Sequence, residues 1–274
     1  MNRATPVYDS ASKLSVGLEE VRQVWRYRDL VYQLVRRDIL TRYKRSVLGV
    51  AWTMLNPLGM MVVLALAFSQ LFGGTHGYAA YVLSGLIAWT FFSQTTSAAM
   101  YSIVWGSSLM HRIYLPRTVF AISSIGTGIV NLVLSLVPMV IVMAIVDVPL
   151  RPSALFLPVS ILLLTAFSLG VGLLLSTLTV YFPDVAEMYN IVILAWLYLT
   201  PIIYPENIIP DSYRWWMFNL NPMYHLIKLF RLPLYDGLVP SPVRLASAAA
   251  VALGALLLGW FVFTRKAGEF SYKV

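Results

Sequence analysis

The sequence predicts an all-α integral membrane protein: six transmembrane helices, an N-terminal amphipathic interfacial helix, and short re-entrant or gate helices between spans five and six. Three observations predict it. Hydrophobic residues make up 59% of the 274 positions and charged residues only 12%, about half the charged share of a soluble domain, so the chain cannot cover itself with a water-facing surface. Six apolar segments reach or approach the roughly 20 residues that a bilayer crossing needs. Half of the 20 Lys and Arg come before Ser46, directly against the first of those segments. The net charge of +8, placed in this way, points to an anionic membrane surface and away from nucleic acid.

The six segments are 47–72, 78–105, 118–146, 153–181, 186–204 and 243–264, the fifth being the shortest. An even number of crossings puts both termini on one side. That side carries the ten basic residues of the N-terminal segment, then Arg112 and Arg117 after the second span, then Arg265, Lys266 and Lys273. The other side carries Arg151, Arg214, Lys228, Arg231 and Arg244. This excess puts both termini in the cytoplasm. The chain then divides into a cytoplasmic segment 1–46, a transmembrane domain 47–264 and a cytoplasmic tail 265–274. No short apolar stretch with a small-residue cleavage site precedes the first span, so a removable signal peptide is not expected.

Ahead of the first span, Val21, Val24, Trp25, Val31, Tyr32, Val35, Ile39 and Tyr43 fall in one stripe at about 100° per residue. Arg22, Arg26, Arg37 and Lys44 fall opposite. Such a helix lies along the interface with its apolar face in the acyl boundary; a plain stop-and-orient cluster is the simpler and compatible alternative. Arg36, Arg37, Arg42, Lys44 and Arg45 crowd the point of entry. Within the first span, Asn56-Pro57 predicts a kink, because Pro57 removes a backbone donor and disfavours helical geometry before it.

The spans contain essentially no Lys, Arg, Asp, Glu or His, the residues that mark proton relays and ion-coupled transport. This argues against a secondary transporter or ion pump. The chain has no phosphate-binding loop, zinc spacing or nucleophile turn, and no Cys. The expectation is therefore no catalytic residue, no metal and no cofactor on this chain. Aromatic residues are abundant instead. Phe182, Tyr189 and Trp196 are spaced by seven near the fifth span, with Thr200 close to the same line; Trp89, Phe92 and Thr96 lie along the second. Aromatic faces beside hydroxyls suit sugar rings, although Trp and Tyr also gather at interfaces and fill helix contacts. From 201 to 242 the chain is broken by seven prolines, too polar to span and too aromatic for a solvated loop. Short helices shielded by protein fit it best, "MYHLIKLF" being one. His225 and Lys228 there are either a ligand contact or ordinary hydrogen-bonded groups.

Four stretches in order carry a family resemblance: "RRDILTRYKRSVLGVAWTMLNPL" (36–58), "GSSLMHRIYLPR" (106–117), "YFPDV" (181–185), and "TPIIYP" (200–205) with "LNPMYHLIKLFR" (220–231). The chain resembles the ABC-2-type permeases that export polysaccharides such as O-antigen, teichoic acid and capsule. The resemblance implies a homodimer in a bacterial inner (plasma) membrane, two copies of a separate ATPase subunit that hold ATP and Mg, and a lipid-linked glycan as substrate. It implies an interface helix bearing Trp25, Arg36, Arg37, Arg42 and Arg45. A coupling loop over 106–117 would meet the ATPase through Ser108, His111, Arg112, Tyr114, Pro116 and Arg117. An outer gate over 205–242 would include Trp215, Trp216, Asn221, Pro222 and Tyr224, with Tyr204 at its start. Spans one and five would line a passage, with Trp52, Phe182, Tyr189, Trp196, Trp89 and Phe92 as sugar platforms. Where the family is expected to carry an Arg-Asp pair, this chain has Pro183-Asp184. Two other readings stay open: an ABC-2 permease for small lipophilic drugs or lipids, and a membrane enzyme or scaffold acting on lipid-linked sugars.

Overall fold

A computed structural model describes residues 16–43, 49, 51–72, 74–110 and 116–270. Among these residues every regular element is helical: α1 (Val16–Arg26), α2 (Arg28–Tyr43), α3 (Ala51–Phe68), α4 (Tyr78–Met110), α5 (Thr118–Ile145), α6 (Leu157–Tyr181), α7 (Val185–Leu199), α8 (Asp211–Asn219), α9 (Pro222–Arg231) and α10 (Pro242–Lys266), with short 3₁₀ and π turns between them. Four stretches among the described residues are long and apolar enough to cross a bilayer: Ala51–Phe68, Thr118–Ile145, Pro152–Tyr181 and Pro242–Lys266. α3 continues through Pro57, which is buried inside the helix.

The second expected span is α4, which at 33 residues is about 50 Å long but is interrupted by Ser84, Ser93, Gln94, Thr95, Thr96 and Ser102. This helix takes the centre of the bundle, packed against α3, α5, α6, α7 and α9. Ser84, Thr95, Thr96 and Ser102 are all buried. Each donates to a carbonyl one turn back: Ser84 to Tyr81 (2.7 Å), Thr95 to Phe91 (2.6 Å), Thr96 to Phe92 (2.7 Å) and Ser102 to Ala99 (2.7 Å). Back-bonding of this kind satisfies a hydroxyl without a partner on another helix.

The fifth expected span, drawn to Tyr204, is shorter in the structure. α7 has 15 residues and ends at Leu199, giving about 22 Å against a hydrocarbon core of about 30 Å. Pro201 explains the stop: it offers no N–H and pushes Thr200 out of helical geometry, and Thr200 is indeed extended (φ −103°, ψ 133°).

The amphipathic segment is two helices, broken at Tyr27. The row that meets the protein is Tyr27, Leu30, Val31 and Leu34, which pack on Val119 and Phe120 at the start of α5. This is the i, i+3, i+4, i+7 face of a helix; Val31 belongs to the stripe read off the sequence, as does Val35, which faces Gly126 of α5. Val21, Trp25 and Tyr32 of that stripe are exposed, Trp25 at 73%, and so remain available to an interface. α1 is tied to the bundle where Thr118 Oγ1 donates to Glu20 Oε2 (2.8 Å). Arg36 is exposed, and Arg37 pairs with Asp38 at 3.0 Å. The Arg42 side chain and all of Arg45 lie outside the described residues.

α6 and α10 pack through glycine. A Cβ on Gly259 would sit 2.0 Å from the Gly170 carbonyl oxygen, and one on Gly170 would sit 2.4 Å from the Ala255 carbonyl. Backbone therefore meets backbone, as small residues allow between membrane helices. Gly254, on the same helix, has nothing within 4 Å of the corresponding position. Overpacking typically costs about 1–3 kcal/mol. Gly259→Leu is therefore expected to lower the unfolding midpoint of the detergent-solubilised protein, while Gly254→Leu leaves it within experimental scatter.

Candidate functional site

Three of the rings expected to line a passage pack together. Trp196 of α7 meets Trp89 (6.1 Å, edge-on) and Phe92 (5.4 Å, edge-on) of α4, and Phe92 meets Phe167 of α6 (5.4 Å). Tyr189, one turn-pair earlier on α7, is buried and shares a hydrogen bond between its hydroxyl and Thr96 Oγ1. These four residues thus hold α7 against α4, and their faces are taken up within one chain. Edge-to-face geometry adds about 0.5–1.5 kcal/mol per pair beyond burial. Phe182 does not continue the α7 stripe: it caps α6 in extended backbone, three residues before α7 starts, and is 63% exposed. Trp52, near the start of α3, is exposed as well. Of the six rings that the resemblance makes sugar platforms, Trp89, Phe92 and Trp196 thus pack together, Tyr189 is buried against Thr96, and Trp52 and Phe182 stand open.

The outward face of α7 carries Met188, Ile191, Val192, Leu194 and Tyr198, all more than half exposed. Its far end is gripped tightly. Residues 200–204 form a bend whose carbonyls are collected from three directions. Tyr81 donates to Tyr204 O (3.0 Å) and Tyr78 to Ile203 O (2.7 Å), both from α4. Arg231, from the end of α9, donates to Pro201 O (3.1 Å) and to Ser84 Oγ (3.2 Å), and its guanidinium lies 3.7 Å from the centroid of the Tyr81 ring. Arg231 is 1% exposed. A buried guanidinium is tolerated only when its donors are met and its charge is compensated, and here carbonyl dipoles and a ring face do that work. Sequence reading counted Arg231 as an outer-face charge. The available signal was an Arg enclosed by "LIKLFRLPL", together with the Tyr78, Tyr81, Ser84 row at three-residue spacing.

Asn221 makes the other grip. As N-cap of α9 its side-chain oxygen accepts from Met223 N (3.1 Å) and Tyr224 N (3.3 Å), with Pro222 at the first helical position, where a missing N–H costs nothing. The same oxygen accepts from Trp196 Nε1 (2.8 Å), and the amide nitrogen donates to Thr200 Oγ1 (2.9 Å). One side chain thus joins α9, the end of α7 and the aromatic group. Tyr204 turns back, its hydroxyl donating to Tyr198 O (2.8 Å). Trp215 and Trp216 stand exposed on α8, edge-on to each other at 5.1 Å.

Beside Arg231 sits an ion group that the sequence reading did not anticipate. Lys228 pairs with Glu206 (2.9 Å) and lies 4.0 Å from Asp236, and Tyr224 donates to Glu206 Oε2 (3.3 Å). Burial pushes the Tyr224 hydroxyl well above its ordinary value, with Glu206 adding to the shift. Burial likewise holds the Asp236 carboxyl above the usual range, against the opposing pull of Lys228 and Arg231. His225 lies 3.4 Å from both Asn219 O and Ser247 Oγ, the ordinary alternative for that residue. At the opposite end, Pro116 is buried and Arg117 lies over Phe270 at 5.8 Å. Ser108 is within α4, its side chain outside the described residues, as are His111, Arg112 and Tyr114 entirely.

Two outcomes follow. Asn221→Ala is expected to destabilise the purified protein by about 1–3 kcal/mol, the cost of unpaired buried groups, with Asn221→Asp in between because it keeps the acceptor and loses the donor; thermal melts followed by tryptophan fluorescence report both. For Asp236, a carboxyl whose folded pKa is raised costs stability once pH rises through the carboxylate range. Asp236→Asn is thus expected to melt later than the wild type at neutral pH, and the gain should fade on acidification, since Lys228 keeps Glu206.

The family described as ABC-2 type transporter matches residues 29–235. Over 257 residues the chain is 30% identical to the O-antigen export system permease protein RfbA of Myxococcus xanthus, covering 93% of this chain and 98% of that one. It is 25% identical over 215 residues to the RfbA permease of Klebsiella pneumoniae, covering 77% and 82%. It is 26% identical over 237 residues to the polysialic acid transport protein KpsM of Escherichia coli, covering 84% and 90%. The family match runs from α2 into the turn after α9 and so includes the aromatic group, the gripped bend and the Lys228–Glu206 pair; the chain belongs to the ABC-2 type transporter family.

Proposed function

We propose that this chain is the membrane permease of an ATP-driven exporter that moves a lipid-linked polysaccharide, of the O-antigen or capsule kind, out across a bacterial inner membrane. The observation that carries the proposal is the likeness, over almost the whole of both chains, to an O-antigen export permease. The working unit is two copies of this chain with two copies of an ATPase that holds ATP and Mg. Six crossings place both termini in the cytoplasm, in keeping with the distribution of Lys and Arg.

The geometry supports a division of labour in that unit. α3 and α7 have open outward faces, and two copies bringing them together enclose the passage. Trp52, Phe182 and Tyr198 offer the ring faces exposed to it, while Trp89, Phe92, Tyr189 and Trp196 brace α7 from behind. ATP-driven closure of the ATPases presses on 106–117, and the Thr118–Glu20 bond passes the movement to the interface helices. At the other end, α8 and α9 with Trp215 and Trp216 form the gate, tied to α7 through Asn221 and Arg231.

The test is co-purification with the ATPase encoded beside this chain and hydrolysis measured in nanodiscs. A complex of two plus two whose hydrolysis rate rises with lipid-linked glycan is the expected result. Stimulation by small lipophilic drugs or plain lipids alone would instead favour the drug or lipid permease, and chemical turnover of a glycolipid without any ATPase would favour an enzyme.

A further inference from the structure

Away from the aromatic group, between α2, α4 and α5, lies a cavity of about 610 Å³, within the size range of small-molecule sites. Its walls include Arg37 and Asp38 of α2, Gln94 and Ser102 of α4, and Ser124 and Asn131 of α5. A smaller hollow shares Gln94 and Asn131 with it and continues past Thr53, Thr90 and Ser135 between α3, α4 and α5. In a chain this apolar, a polar track entering the bundle between crossing helices needs a polar filling.

The chemistry of the walls narrows the occupant. The lining hydroxyls have their hydrogens committed to backbone carbonyls: Ser102 to Ala99, Ser123 and Ser124 to Phe120, Thr127 to Ser123 and Thr95 to Phe91. Their oxygens keep free lone pairs and accept, while the Gln94 amide and the Arg37 guanidinium bring N–H donors to the same walls, a mixture that suits hydroxyls, which both donate and accept. Gln94 is exposed, and its amide makes no hydrogen bond among the described residues. It lies 16 residues into α4, about 24 Å along the axis, where hydrocarbon offers an amide nothing. Arg37 is paired with Asp38 at 3.0 Å, so that guanidinium's charge is already answered and the site favours a neutral guest. Leu34, Ala98 and Phe120 give the cavity apolar patches. An occupant with closely spaced O–H donors, C–H faces and no net charge is a saccharide.

We infer that this cavity is a saccharide site distinct from the passage between copies, holding neutral sugar units of the lipid-linked glycan at the end of the bundle where the amphipathic helices lie. The inference rests on the polysaccharide-export reading. The absence of Cys from the chain makes it directly testable. Gln94→Cys and Ser124→Cys each place one thiol in the cavity, and Val140→Cys places one on the outward face of α5 as a reference. The intact complex with its ATPase, in nanodiscs, is labelled with a charged maleimide in the presence of a polyprenyl diphosphate carrying a neutral disaccharide, or of the same lipid without sugar. Both cavity thiols are expected to react, and the glycolipid at about ten times its Kd should slow them about tenfold, with no slowing by the sugar-free lipid or at Val140→Cys. Failure of either cavity thiol to react, or equal slowing by the sugar-free lipid, overturns the inference. Unslowed labelling while the glycolipid still raises ATP hydrolysis removes this site and leaves export standing. If the glycolipid neither slows labelling nor raises hydrolysis, the export reading falls and takes the site with it.

Discussion

The helix that crosses through the middle of this protein is also the long helix least suited to lipid. α4 carries hydroxyls and an amide along a length that would span a bilayer by itself, and a polar group without a partner in that environment costs several kcal/mol. The architecture answers by enclosing it. Its neighbours α5 and α6 are strongly apolar and meet the lipid, while α4 keeps its hydroxyls bonded to its own backbone. The arrangement places buried, already bonded hydroxyls at the centre of the bundle and leaves Gln94 to the cavity between α2, α4 and α5.

Much else is attached to that helix. Tyr78, Tyr81 and Ser84 stand one below another on α4 and reach the bend at 200–204, either directly or through Arg231. Trp89, Phe92 and Thr96, further along the same helix, hold the middle of α7. α7 is thus too short to be anchored by lipid contact at both ends and is instead fastened along its length to α4. Its outward face stays free for a partner because every fastening lies on the inward side.

The sequence made the long helices legible to within a few residues, because hydrophobic length is a one-dimensional property. α9 was legible too, since Asn221-Pro222 is a start signal that needs no tertiary context. Other features depended on what lies opposite. Phe182, Tyr189 and Trp196 are spaced by seven, but the spacing continues only if the helix does, and the break before α7 turns Phe182 outward. Val21, Trp25 and Tyr32 share an apolar stripe, yet which residues of the helices pack on protein and which stay exposed is decided by Val119 and Phe120, far away in the chain. For Arg231 the enclosing apolar run hints at burial, but its partners do not follow from it, because the carbonyls of residues 201 and 202 that accept from it lie about thirty residues earlier in the chain.

The contact of Gly170 with Gly259 has a mechanical consequence. Two backbones seated on each other have no intervening side chains to change rotamer, and so no soft layer along which to slide. α6 and α10 therefore behave as a single strut. The fold thereby joins two of its long helices into one stiff unit and carries α3 and α7 on side-chain contacts that can change rotamer.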